Sequence, residues 1–161
     1  ERLGRSLTQQ ALDRRIRRRT ELVLAQSLLP GVVQHIESAR AMGLKLGVAS
    51  SSTRDWVRGH LERLDILDRF ECLRCRDDVA NAKPQPDLYL AVIECLGVIA
   101  SEAIAIEDSP NGVLAAKRAG LRCVAIPNAI TARLDLGAAD VILGSLADIT
   151  LTELLSRLSA A

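Results

Sequence analysis

Short apolar runs alternate with helix-patterned segments along most of this chain, and that alternation restricts its fold more than any other feature. Leu44 to Ala49 follows a helical segment and ends in three serines. An apolar run of that length suits a strand buried in a parallel sheet. Phe70 to Cys75, Ala103 to Ile106, Leu121 to Ile126 and Val141 to Leu143 have the same character. Between them lie helical segments: Asp55 to Leu64, Pro86 to Leu96 with Gly97 at its end, and Pro110 to Ala119 followed by Gly120. Proline in the first turn and glycine after the last are the usual helix punctuation. Val32 to Met42, closed by Gly43, precedes the first strand, and Ile149 to Leu158 ends the chain as a helix. The order predicts an α/β architecture: a Rossmann-like open parallel sheet with helices on both faces.

Ahead of this region, Leu7 to Leu28 has helical spacing, with Leu12, Ile16, Val23 and Leu24 apolar, until Leu29-Pro30-Gly31 breaks it. Residues 1–27 hold seven arginines against three acids, a net +4; the remainder holds 14 basic and 17 acidic residues, a net −3. A basic segment on an acidic body hints at an anionic partner. The run Arg14-Arg15-Ile16-Arg17-Arg18-Arg19 is of a kind that contacts nucleic acid. No DNA-binding motif accompanies it, so it is read as a solvated helix face whose arginine stems cover apolar surface. Only Trp56, Phe70 and Tyr89 are aromatic, which also argues against a platform for stacking bases.

The chain of 161 residues can bury about two-thirds of its unfolded surface, so its core needs no disulfide or metal. Its four cysteines are Cys72, Cys75, Cys95 and Cys123. Cys72 and Cys75 are spaced as in zinc sites, but no second pair and no suitable histidine pair follows. In a strand, positions i and i+3 also point to opposite faces. All four are read as buried, reduced thiols, as suits a cytoplasmic protein. No apolar run approaches the roughly 18 residues of a membrane span, and no signal peptide is visible.

In open parallel sheets, ligands bind just beyond the carboxyl ends of the strands. After the first strand stand Ser50, Ser51 and Ser52. Hydroxyls and free N–H groups at a helix start make an anion site, although serines are also ordinary N-caps. After the second comes Ala82-Lys83-Pro84-Gln85-Pro86-Asp87, where prolines restrict a lysine that is able to set a fixed charge over a phosphate. Only three of the 21 basic residues are lysines, so a compact point charge is being kept here. After the third come Glu107, Asp108 and Ser109, then Pro110-Asn111-Gly112. Adjacent carboxylates at a buried strand end are costly unless neutralised. As hard oxygen donors they suit Mg²⁺; Asp108 is also a candidate cap for the next helix. Together the three clusters form a sheet edge suited to a phosphate and a magnesium ion. P-loop NTPases are excluded, because G-x-x-x-x-G-K-[ST] is absent, and no G-x-G-x-x-G supports a dinucleotide fold.

At these residues the chain resembles the haloacid dehalogenase superfamily of hydrolases, and within it the beta-phosphoglucomutase-like sugar-phosphate phosphatases. Val48-Ala49-Ser50-Ser51-Ser52 is similar to the second family motif, and Ala82-Lys83-Pro84-Gln85-Pro86-Asp87-Leu88-Tyr89 to the third. Ile106-Glu107-Asp108-Ser109-Pro110-Asn111-Gly112 with Ala115-Ala116-Lys117-Arg118-Ala119-Gly120 is similar to the fourth. The resemblance implies that Ser50 donates its hydroxyl to the transferring phosphoryl group, helped by the N–H of Ser51, and that Lys83 neutralises charge there. It implies Mg²⁺ on Asp108, with Glu107 binding or supporting it, and a loop shaped by Ser109 and Asn111. It implies a small phosphorylated metabolite as substrate. Residues 1–28 would be the remnant of a substrate-selecting helical cap, and 29–161 the C-terminal part of the α/β core.

One family element is missing. The first motif, an Asp-x-Asp whose first aspartate is phosphorylated and then hydrolysed, occurs nowhere in this sequence. With it would go the first, central strand and most of the cap, roughly 60 residues at ordinary element lengths. The chain also begins at Glu1. The expectation is therefore a fragment that is inactive alone, with open sheet edges able to drive self-association. A non-catalytic binding or regulatory protein and a phosphomutase are the competing readings.

Overall fold

A computed structural model describes residues 8–160. Leu7 and the charges of Glu1, Arg2 and Arg5 lie outside the described residues. Helix α1 (Gln9–Leu24) starts at Thr8, whose hydroxyl accepts the N–H of Ala11 at 3.3 Å. Its Arg14, Arg15, Arg17 and Arg18 are exposed, as a solvated face requires. Most of its apolar side is left open among the described residues: Leu12, Ile16, Leu22 and Leu24 are exposed, and Val23 is half-buried. Helix α2 (Val32–Ala41) begins after Gly31, whose φ is +86°. Leu146 and Ala147 lie so close to Gly31 that a β-carbon there would overlap them, so only glycine meets both demands.

The strands are β1 (Gly47–Ala49), β2 (Cys72–Arg74), β3 (Ile104–Glu107), β4 (Arg122–Ala125) and β5 (Val141–Ile142). Between them run α3 (Arg54–Arg63), α4 (Asp87–Leu96) and α5 (Pro110–Arg118), and α6 (Leu151–Ala160) follows β5. Every pairing is parallel, as the buried apolar runs predict. The pairings form two sheets, β1-β2 and β3-β4-β5. Both β1 and β3 thus pair on one side only among the described residues.

Strand β4 shows how both faces are covered. Cys123 and Ala125 enter one core cluster with Tyr89, Ala105, Val113 and Ala116, on the side of α4 and α5. Val124 between them enters the other, with Leu154 and Leu158 of α6. Leu154 and Leu158 are almost wholly buried, each contributing about 1.5–3 kcal/mol of apolar burial.

The expectation of four buried, reduced thiols fails on both counts, for Cys95 is exposed and two of the four are bonded to each other. Cys72 and Cys95 form a disulfide with their Cα atoms 6.2 Å apart. Only Cys75 and Cys123 are free buried thiols. The reason is register. Gly47 is the pairing partner of Cys72, and the space above Gly47 is filled by Val92 and Leu96 of α4. The same face of the sheet therefore presents Cys72 to Cys95 on that helix. The reduced-thiol argument for a cytoplasmic setting does not hold for this pair. Among the described residues, no helix is long and apolar enough to cross a membrane.

Candidate functional site

Lys83 joins the two sheets at their carboxyl ends. Its Nζ donates to the carbonyl oxygen of Ala49, the last residue of β1, at 2.9 Å. It also pairs with the carboxylate of Glu107, the last residue of β3. Both side chains are largely withdrawn from solvent, at 13% and 6% exposure. A buried carboxylate is tolerable only with such a partner. The Lys83–Pro84 peptide is cis.

Glu107 is held from several directions. The Tyr89 hydroxyl donates to the same carboxylate oxygen as Lys83, and the Asp108 N–H approaches the other at 3.3 Å. Gly112, in the first turn of α5, leaves room for this carboxylate, since a β-carbon there would overlap it. Burial, and then the neighbouring carboxylate, push the Tyr89 phenol far above its ordinary range, so the hydroxyl is a proton donor at any working pH.

Ser50 directly follows Ala49; its N–H donates to Arg74 at 2.9 Å, and its Oγ accepts the N–H of Ser52 at 3.2 Å. The serines do not cap α3. Thr53 occupies that position without a side-chain bond, and the Asp77 carboxylate takes the Arg54 N–H at 2.6 Å. Ser51 and Asn111 are exposed beside the strand ends. Ser109, and not Asp108, caps α5, accepting the Gly112 N–H at 3.2 Å. Asp108 is thereby left exposed at the end of β3.

One oxygen of Asp108 is fixed by Asn128, whose Nδ2 donates at 2.8 Å. The amide of Asn128 cannot turn freely, because its Oδ1 accepts the N–H groups of Ile130 and Thr131 at 2.8 and 3.1 Å. Asn128 and Tyr89 are the members of this cluster that carried no role in the sequence reading. The spacing of Tyr89 six residues after Lys83 was a usable signal; nothing local pointed to Asn128, 20 positions from its partner.

The donor set fits a magnesium ion in part. Asp108 keeps one oxygen without a hydrogen-bond partner among the described residues, whereas Glu107 has both engaged. Mg²⁺ takes one or two protein carboxylates and completes its shell with water and phosphate oxygens. No cluster of three or more His, Cys, Asp or Glu able to hold a metal occurs among the described residues. Asp108 is thus the carboxylate with an oxygen open to a cation, and Glu107 stands beside it with both oxygens engaged.

Comparison with known proteins bears on what such a site does. Residues 2–126 match the family described as haloacid dehalogenase-like hydrolase. The chain is 40% identical over 161 residues to the Bacillus subtilis protein YhcW, covering 99% of this chain and 73% of that one. It is 35% identical over 150 residues to hexitol phosphatase B of Escherichia coli, covering 91% and 67%. Two further relatives are spanned to only 51% and 55% of their length. Among solved structures, a mutant of CbbY from Rhodobacter sphaeroides in complex with xylulose-(1,5)bisphosphate superposes with a TM-score of 0.78 at 30% identity, covering 91% of this chain and 70% of that one.

Proposed function

The chain belongs to the haloacid dehalogenase-like hydrolases, and from that membership we propose that it carries the phosphate- and Mg²⁺-binding part of a phosphatase site for a small phosphorylated metabolite such as a sugar phosphate. The observation that carries this reading is the bridge made by Lys83 between the ends of β1 and β3. It holds one cation on the residues that directly precede Ser50 and Asp108 in the chain, which supports a site where a phosphoryl group meets both charge and hydrogen bonds. Ser50 donates its hydroxyl to a phosphoryl oxygen and Ser51 its N–H. Lys83 neutralises phosphoryl charge. Asp108 would hold Mg²⁺ and Glu107 would hold Lys83 in place, while Ser109 and Asn111 shape the loop between. The ion, when bound, neutralises charge on the phosphoryl oxygens.

The substrate class is supported by the relatives, one a hexitol phosphatase and one bound to a sugar bisphosphate. An attacking carboxylate is a separate requirement. Asp-x-Asp is absent from the sequence, and Glu107 is already committed to Lys83 and Tyr89. The chain of 161 residues therefore binds phosphate without turning over phosphate esters.

The test is phosphate release from a sugar-phosphate panel with Mg²⁺, alongside phosphate binding followed by ³¹P NMR. Binding without turnover is expected. Efficient hydrolysis by this chain overturns the inactivity, and absence of any phosphate binding overturns the site.

A further inference from the structure

The ammonium of Lys83 has three N–H donors, and the site presents three acceptors. These are the Ala49 carbonyl at 2.9 Å, the Glu107 carboxylate, and the Tyr89 hydroxyl oxygen at 3.4 Å. No donor remains for an incoming anion, so an oxyanion that reaches Lys83 must displace one of the three. The Ala49 bond has the ordinary length of a good hydrogen bond, and the Glu107 contact is a buried ion pair. The Tyr89 contact, at 3.4 Å, lies beyond the usual N–H···O range. Tyr89 is also the one acceptor that loses little by release, because its own O–H stays bonded to Glu107.

We propose that Tyr89 is a positioning residue: its hydroxyl orients Glu107 by donation and occupies the third N–H of Lys83 until a phosphoryl oxygen takes that N–H. The O–H bond to Glu107 fixes the phenol rotor, which turns an oxygen lone pair toward Nζ. The Tyr89 ring, with Nζ 4.8 Å from its centroid, continues to attract the ammonium after the exchange. Tyr89 is itself only 7% exposed, so packing in the α4–α5 cluster holds the ring in place. The role of Tyr89 as placeholder rests on the phosphate site proposed above; its hold on Lys83 and Glu107 does not.

Two features of the chain make the test clean. It has a single tyrosine and only three lysines, Lys45, Lys83 and Lys117. In the first arm, trace acetylation with acetic anhydride is followed lysine by lysine against pH by mass spectrometry. Tyr89→Phe keeps the ring and removes the acceptor. Its Lys83 is expected to acetylate faster by about two- to fivefold, the upper end being the worth of one ordinary hydrogen bond and the lower end suiting a contact of 3.4 Å, with Lys45 and Lys117 unchanged. A merely space-filling Tyr89 predicts no change, and an unchanged Lys83 in folded Tyr89→Phe overturns the proposal.

The second arm uses the unsubstituted chain labelled with 3-fluorotyrosine, so it decides the question even if Tyr89→Phe fails to fold. Inorganic phosphate is expected to move the single ¹⁹F resonance, with ³¹P NMR reporting binding independently. Bound phosphate with an unmoved ¹⁹F signal overturns the placeholder role. Absence of phosphate binding counts against the phosphate site itself, and the placeholder role falls with it; the acetylation arm then decides whether Tyr89 positions Lys83.

Discussion

Lys83 Nζ and the carbonyl oxygen of Ala49 are 2.9 Å apart although 34 positions separate them. The same Nζ meets Glu107, 24 positions further on. One side chain thereby ties the end of a two-stranded sheet to the end of a three-stranded one. That makes Lys83 a structural strut as well as a candidate phosphate ligand.

Removing the strut strands a buried charge. Lys83→Met is expected to cost about 3–5 kcal/mol in urea unfolding, because Glu107 is left without its cation. The double variant Lys83→Met/Glu107→Gln is expected to recover much of that loss. A single-variant cost below about 1 kcal/mol, the range of an exposed pair, removes the strut from the account.

Room for the carboxylate depends on Gly112. A β-carbon at that position overlaps the Glu107 side chain, and the helix backbone of α5 cannot step aside without disturbing β3. Gly112→Ala is therefore expected to destabilise by about 1–3 kcal/mol, the ordinary cost of overpacking, despite the better helix propensity of alanine. A gain in unfolding midpoint is the result that contradicts it.

Asn128 is expected to govern how Asp108 meets a cation. Its amide is clamped by two loop N–H groups, so its Nδ2 is held toward Asp108. With Mn²⁺ as the probe and electron paramagnetic resonance as the readout, Asp108→Asn is expected to abolish binding at the site. Asn128→Ala is expected to weaken it about 10–100-fold, as is usual for partners that orient a ligand. Unaltered Mn²⁺ affinity in Asp108→Asn rules Asp108 out as the ligand.

The cysteines give a count that needs no assay of function. Under denaturing conditions without reductant, alkylation should modify two thiols, Cys75 and Cys123, and with reductant all four. In the folded chain neither free thiol should react. Both are buried, and burial, followed by the nearby Glu107 charge, pushes Cys123 up to about 12, far from the reactive thiolate. Four labelled thiols without reductant would show that Cys72 and Cys95 are not joined.

Acid stability follows from two aspartates. The N–H of Cys75 and then Arg54 hold Asp78 below its usual 3.8. For Asp140, burial acts upward, but the Lys117 ammonium and the Cys123 N–H outweigh it, and the net displacement is again below 3.8. Groups lowered on folding add stability that is fully present above about pH 4 and is lost as pH falls through their folded values. Unfolding midpoints measured from pH 6 to pH 2 should decline, and Asp140→Asn should flatten that decline. An equally steep decline in the variant assigns acid sensitivity elsewhere.

Local pattern carried most of the secondary structure. Every expected strand is present. Most are shortened, as Leu44 to Ala49 pairs only over Gly47–Ala49 and Phe70 to Cys75 only over Cys72–Arg74, while the third shifts by one residue to Ile104–Glu107. Helix ends moved by one residue where capping decided them, as at Pro86 before α4 and Ala119 after α5, and by four at the end of α1, which stops at Leu24. Gly97 and Gly120 stand at positive φ after α4 and α5, where terminators were expected. What periodicity missed was partnership. The disulfide of Cys72 depends on which helix lies over β2, and the Asn128 clamp depends on a loop after β4.

The sequence by itself determined the parallel α/β order, the family, and the three strand ends at which Ser50, Lys83 and Glu107-Asp108 stand, because each follows from side-chain pattern within a short window. Only the tertiary structure decided that Lys83 spends its donors on Ala49, Glu107 and Tyr89, that Glu107 is held as a buried ion pair while Asp108 stays open, and that Cys72 bonds to Cys95. Those are contacts between segments brought together by packing. Their energies depend on distance and burial, which no run of neighbouring residues encodes.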